Sequence, residues 1–215
     1  MRNAEQVCSL RELSILDNSV QTVSVDIFKF IGEDIATLSQ LMEGSHIVIR
    51  SHDDFCHPEG ALYVPQGERA VENIASLLKS GKVARVTFTL DWHPLDHCSF
   101  KPQGGQWPVH CVQYSRGVAL AESLMDPPLL SSLHPTFVTK GANRNQEEYG
   151  AFAQPSVEEL ALLQSGKVVV CGIAGDYCVL ETLRNILKVR PDAQVFMDGI
   201  ASIDGGTALN DFMAK

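Results

Sequence analysis

Apolar residues recur along this chain in short runs and in helical spacings, and the two alternate from about residue 46 to the end. Residues 46–51 (His-Ile-Val-Ile-Arg-Ser) form an apolar run that predicts a buried strand. Over 68–79 the side chains Val71, Ile74, Leu77 and Leu78 fall three and four apart, the spacing of an amphipathic helix. Residues 85–90, rich in Val, Thr and Phe, predict the next strand, and 137–139 a shorter one. Over 156–164, Ser156 is followed three residues on by Glu159, a capping-box pattern that starts a helix. Residues 167–173 contain Val-Val-Val-Cys, apolar on both faces as a helix-covered parallel strand requires. A helix over about 177–189, a strand over 194–197 and a short helix over 207–213 complete the series. Strands alternating with helices predict an α/β fold, a doubly wound and mostly parallel sheet with helices on both faces. Such sheets bind ligands beyond the carboxyl ends of their strands, so chemistry is sought just after each strand.

The start of the chain keeps this rhythm less well. Residues 20–30 alternate like a strand and 34–42 are spaced like a helix, so 1–45 is read as an N-terminal extension and 46–215 as one domain. A length of 215 residues, 45% of them hydrophobic, supports one well-packed core. The 17 Lys and Arg against 26 Asp and Glu leave a formal charge of -9, which argues against nucleic acid or an anionic membrane as partner. No window reaches the roughly 18 consecutive apolar residues of a membrane span. The opening Met-Arg-Asn-Ala-Glu-Gln is not followed by an apolar signal-peptide core, so a cytoplasmic protein is expected. Cys8, Cys56, Cys98, Cys111, Cys171 and Cys178 include no Cys-x-x-Cys pair, against both a disulfide scaffold and a thiolate zinc site. A special cysteine here is therefore a nucleophile.

Three loops carry candidate chemistry. Asp91-Trp92-His93 follows the strand ending at Leu90, with His97, Cys98 and His110 after it in a Pro/Gly-rich stretch. A carboxylate and a histidine two positions apart can reach one ion, and a second histidine completes an N/N/O set suited to Zn²⁺, Fe²⁺ or Mn²⁺. The same residues also read as solvated loop histidines. Cys178 sits where strand 168–173 turns through Ala174-Gly175-Asp176 into a helix, where the helix dipole lowers a thiol pKa and backbone N–H groups can form an oxyanion hole. A small buried hydrophobe is the other reading of that cysteine. Lys140 closes Phe137-Val-Thr at the sheet's carboxyl edge, where it could act on a neighbouring thiol or remain solvated.

Together these loops resemble the nicotinamidase (pyrazinamidase) family of the isochorismatase-like cysteine hydrolases. The residues that carry the resemblance are Asp-Trp-His-Pro-Leu-Asp-His-Cys-Ser-Phe (91–100), Trp-Pro-Val-His-Cys-Val (107–112), Lys-Gly-Ala (140–142) with Glu-Tyr-Gly-Ala-Phe (148–152), and Cys-Gly-Ile-Ala-Gly-Asp-Tyr-Cys-Val (171–179). Residues 53–65 are similar to the family's opening loop. The resemblance implies a Rossmann-like three-layer sandwich and hydrolysis of nicotinamide to nicotinate and ammonia through a cysteine thioester. It implies Cys178 as nucleophile, Lys140 as its partner, and Ala174 and Cys178 amides as the oxyanion hole after a cis Ile173–Ala174 bond. It further implies one divalent metal ion (Zn, Fe or Mn) on Asp91, His93 and His110 with His97 nearby, Phe55 and Trp107 flanking the ring of a small-molecule substrate, and leaves a homo-oligomer open.

One position departs. The family's first strand ends in a catalytic Asp within Val-Asp-x-Gln-x-Asp-Phe, and the ungapped register here (Ile-Val-Ile-Arg-Ser-His-Asp-Asp-Phe) puts Arg50 there and His52 at the Gln. Arginine cannot shuttle a proton near neutral pH. Asp53 from the loop, or Asp26 if 27–52 were inserted, would supply the missing acid. Otherwise the protein is an impaired relative that binds metal and a pyridine ligand.

Overall fold

The computed structural model describes residues 45–164 and 166–215. Five strands, β1 (Ser45–Arg50), β2 (Val83–Asp91), β3 (Thr136–Lys140), β4 (Val168–Ile173) and β5 (Gln194–Ala201), form one sheet in the order β3-β2-β1-β4-β5. All four pairings are parallel. The chain fills β1, β2 and β3 outward in one direction and then returns to place β4 on the other flank of β1. The order therefore reverses between β1 and β4, the crevice where such sheets hold ligands.

Alternation along β1 divides the core. Ile47 and Ile49 face a cluster completed by Val71, Ile74 and Leu78 of α2 (Gly67–Lys79), while Val48 faces a second cluster with Leu183 and Ile186 of α5 (Leu180–Leu187). Both faces of the sheet are thus covered, which is why β1 and β4 are buried at every position. α4 (Val157–Leu163) begins with the capping box expected of Ser156 and Glu159. α1 (Asp53–Cys56) and α3 (Pro127–Leu133) carried no signal in the periodicity, the first because it is four residues long and the second because it opens on two prolines. α6 (Thr207–Met213) buries Leu209 in the second cluster. The strand over 20–30, the helix over 34–42 and Asp26 lie outside the described residues, and Ser45, assigned to the extension, opens β1. No helix among the described residues is long and apolar enough to cross a membrane.

The strands end in register on polar residues. Asp91 pairs with Lys140 across β2 and β3, and Arg50 pairs with Gly172 across β1 and β4. Gly172 has φ +122, and a Cβ there would lie 2.1 Å from the Arg50 carbonyl oxygen and 2.7 Å from its nitrogen. Both obstacles are backbone and cannot rotate away. Gly172→Ala is therefore expected to cost about 2–4 kcal/mol, read as a lowered urea midpoint; a loss under about 1 kcal/mol would show that β1 can move aside.

Candidate active site

Four strand ends meet at one crevice: Arg50 from β1, Asp91 from β2, Lys140 from β3 and, after β4, Ala174 with Cys178. Cys178 lies in a π-helical turn, Gly175–Val179, that leads into α5, with the Val179 N–H donating to the Ala174 carbonyl at 3.1 Å. The Ile173–Ala174 peptide is cis, as the resemblance implied. Lys140 is 3% exposed, and its Nζ donates to Asp91 Oδ1, to the Glu148 carbonyl at 3.1 Å and towards Cys178 Sγ at 3.7 Å. Among the described residues no carboxylate hydrogen-bonds the sulfur; Lys140 does.

Arg50 occupies the place that the register gave it. It is 2% exposed, donates from Nη2 to Asp91 Oδ2 and from Nη1 to the Ile173 carbonyl, and lays its guanidinium 4.2 Å from the centre of the Phe55 ring. Its Nε is buried with no hydrogen-bond partner among the described residues. Burial opposes its charge, but Asp91 and Cys178 outweigh burial and raise its pKa. Burial likewise pushes the Asp91 carboxyl up, yet Arg50 and Lys140 hold it well below the usual carboxylate range. The expectation of a low thiol pKa at Cys178 is corrected. Burial raises the thiol above its ordinary value, and the opposing pull of Arg50 and Lys140 does not overcome it.

Asp53 is not brought to the site. α1 turns its carboxylate outward, where Oδ2 accepts from Arg116 Nε at 3.2 Å, and it lines a separate groove with His57 and Glu68. Phe55, two residues on, points inward with 2% exposure, because residues two apart on a helical turn face apart. The acid supplied by Asp53 is thus ruled out by geometry.

Ligand atoms of Asp91, His93 and His110 lie within 4.8 Å of one another, close enough to reach one ion. His93 Nδ1 donates to the Gly141 carbonyl at 2.9 Å and His110 Nδ1 to the Pro108 carbonyl at 2.8 Å, so Nε2 is the atom that each ring can offer to an ion. Burial lowers the His110 pKa to about 4, so it is neutral as a ligand must be. His97 is spent: Nε2 donates to the Gln146 carbonyl at 3.0 Å and Nδ1 bonds Ser99 Oγ at 2.7 Å. The imidazoles fit a divalent ion and the carboxylate does not, since Arg50 and Lys140 take both oxygens of Asp91.

Trp107 forms the opposite wall, its ring edge-on to Tyr177 at 5.0 Å and its Nε1 donating to the Tyr149 hydroxyl at 3.0 Å. The space left between Phe55, Trp107 and Cys178 is about 30 Å³, room for roughly one water. His52 also matters, and the sequence showed it only as a departure. Its Nε2 accepts the Asp91 N–H at 2.8 Å while Nδ1 donates to the Val118 carbonyl at 2.8 Å, fixing the end of β2. Burial keeps it neutral, with a pKa of about 4.

The isochorismatase domain family matches residues 46–209, the span of the whole sheet. The chain is 28% identical to the nicotinamidase of Saccharomyces cerevisiae over 185 residues, covering 71% of this chain and 85% of that one. The structure of PnC1 from L. infantum in complex with nicotinate superposes with a TM-score of 0.68 at 28% identity, over 80% of this chain and 89% of that one. The pyrazinamidase of Pyrococcus horikoshii in complex with zinc superposes with a TM-score of 0.65 at 27% identity, over 80% and 95% of the two chains. The shared sheet, the span of the match and these nicotinamidase relatives, enzymes that hydrolyse an amide C–N bond, place the result plainly: the chain belongs to the isochorismatase domain family.

Proposed function

We propose that the chain hydrolyses the carboxamide of nicotinamide to nicotinate and ammonia through a Cys178 thioester, more slowly than its relatives because of Arg50. The observation that carries this reading is Lys140 Nζ held 3.7 Å from Cys178 Sγ by two further bonds, to Asp91 and to the Glu148 carbonyl, at the C-terminal edge of a parallel sheet. The thiolate attacks the carboxamide carbon, a C–S bond forms, and the carbonyl oxygen takes the negative charge. The amides of Ala174 and Cys178 are the donors proposed for that oxygen. The carbonyl then re-forms as the C–N bond breaks, ammonia leaves with the proton that the Cys178 thiol gave up, and water splits the thioester into nicotinate and the restored thiol. Lys140 steadies the thiolate, and Asp91 orients Lys140. Phe55 and Trp107 face the ring. The five cysteines among the described residues are free thiols, as suits the reducing cytoplasm proposed for the protein.

Arg50 favours one second reading, a protein that binds a pyridine ligand without turnover. It covers the Phe55 face meant for the ring, and a pocket of about 30 Å³ is far below the roughly 300 Å³ at which small-molecule sites begin. A ring enters only when Arg50 or the Trp107 wall shifts. Ammonia release from nicotinamide by concentrated wild-type protein over hours separates the two. Release above a protein-free control is expected; calorimetric binding of nicotinate with no ammonia would establish the second reading.

A further inference from the structure

We propose that Arg50 stands in for a divalent cation, its guanidinium supplying the positive charge of the Asp91–His93–His110 cluster, and that a metal ion and the Arg50–Asp91 pair exclude one another. Geometry is the first support. Of the two Asp91 oxygens, the one that lies 3.6 Å from His93 Nε2 is Oδ2, and that is the oxygen Arg50 holds. A ligating carboxylate oxygen must approach an ion to about 2.0–2.2 Å, and a cation already stands on that side. The remaining oxygen is taken by Lys140.

Charge is the second support. Where the family resemblance places an acid, an arginine turns one negative charge into one positive, a change of two units and so the charge of the ion itself. Arg50, Lys140 and Asp91 already sum to one positive charge in a buried site. A divalent ion added beside the guanidinium would set like charges a few ångströms apart where screening is weak.

Anchorage is the third. The guanidinium is pinned by the Ile173 carbonyl and by the Phe55 ring at 4.2 Å, with the side chain 3% exposed, so it cannot release Asp91 by swinging into water. The histidine pair is thereby left without a carboxylate oxygen free to join it on an ion.

The test is equilibrium dialysis of the full chain against micromolar ZnCl₂, counting for each protein the zinc lost when His93→Ala is added, so that ions on other histidines and cysteines cancel. Wild type is expected to hold well under one such ion per chain. Arg50→Met, which keeps bulk but not charge, is expected to take one, with an affinity higher by ~10²-fold or more. Co²⁺ should give visible bands of a coordinated ion in Arg50→Met and none in wild type. Circular dichroism verifies folding, and Arg50→Ala serves if Arg50→Met does not fold. One ion on wild type at the affinity of the variant overturns the proposal. So does a folded variant that takes no ion, since Arg50 would then not be what excludes it. Turnover is not read, so the result stands whether or not the chain is an amidase.

Discussion

Cys178→Ala is expected to lower ammonia release from nicotinamide by ~10⁴-fold or more, to the background of the assay, because among the described residues no second thiol lines the crevice. The change removes one buried sulfur from a residue that is 7% exposed, so the fold should persist with a thermal midpoint close to wild type. Lys140 would keep its bonds to Asp91 and the Glu148 carbonyl, and Arg50 its bonds to Asp91 and the Ile173 carbonyl. What disappears is only the atom that forms the thioester. A mass shift of one nicotinoyl group on quenched wild-type protein, absent from the variant, would identify the intermediate directly. Turnover undiminished in a folded Cys178→Ala protein would mean that water attacks the amide without covalent help, and the proposed chemistry would fail.

The sheet was legible because its strands are apolar on both faces and short, and its helices have one apolar stripe. Ile47 and Ile49 belong to one core and Val48 to the other, which a run without polar interruption already demands. The carboxyl ends of β1, β2 and β3 were legible to within one residue, because a charged residue closes each apolar run, as Arg50, Asp91 and Lys140 do, whereas β5, read over 194–197, runs on to Ala201. The turns were not legible. α1 is four residues long, and spacing alone does not say that its Asp53 faces Arg116 while its Phe55 faces the crevice. α3 starts on Pro127-Pro128, which reads as a loop although proline suits the first turn of a helix.

Electrostatics at the site were hidden for a different reason. Position at a helix start argues for an acidic thiol, yet the burial of Cys178 outweighs the pull of both neighbouring cations. Burial is a property of the assembled fold, since Tyr177, Glu148 and Leu62 close over the crevice from three distant parts of the chain. The ungapped register, by contrast, placed Arg50 at the end of β1 from the nine residues 47–55. A strand with both faces buried tolerates no slip, because a shift by one residue would exchange its two cores.

That register makes position 50 the sharpest lever on the proposed activity. Arg50→Asp is expected to raise the rate of ammonia release by ~10²-fold or more, the low end of what a general acid or base supplies. An aspartate in β1 would reach towards Lys140 from the strand next to β2, restoring a carboxylate that can carry the proton ammonia needs on leaving. It would release Oδ2 of Asp91 from the guanidinium and uncover the Phe55 face that Arg50 now covers at 4.2 Å. Two of these three effects do not require an acid, and Arg50→Met separates them. With bulk but no proton to give, it should free Asp91 and shift the Phe55 contact, lowering KM while leaving kcat near the wild-type value. Only Arg50→Asp should raise kcat. Both variants are assayed with and without added Zn²⁺, since freeing Asp91 alters what the two imidazoles can hold. Equal kcat in Arg50→Asp and Arg50→Met would assign the slow turnover to blocked access rather than to a missing acid. A rate unchanged in both, with both proteins folded, would show that Arg50 does not limit the reaction at all.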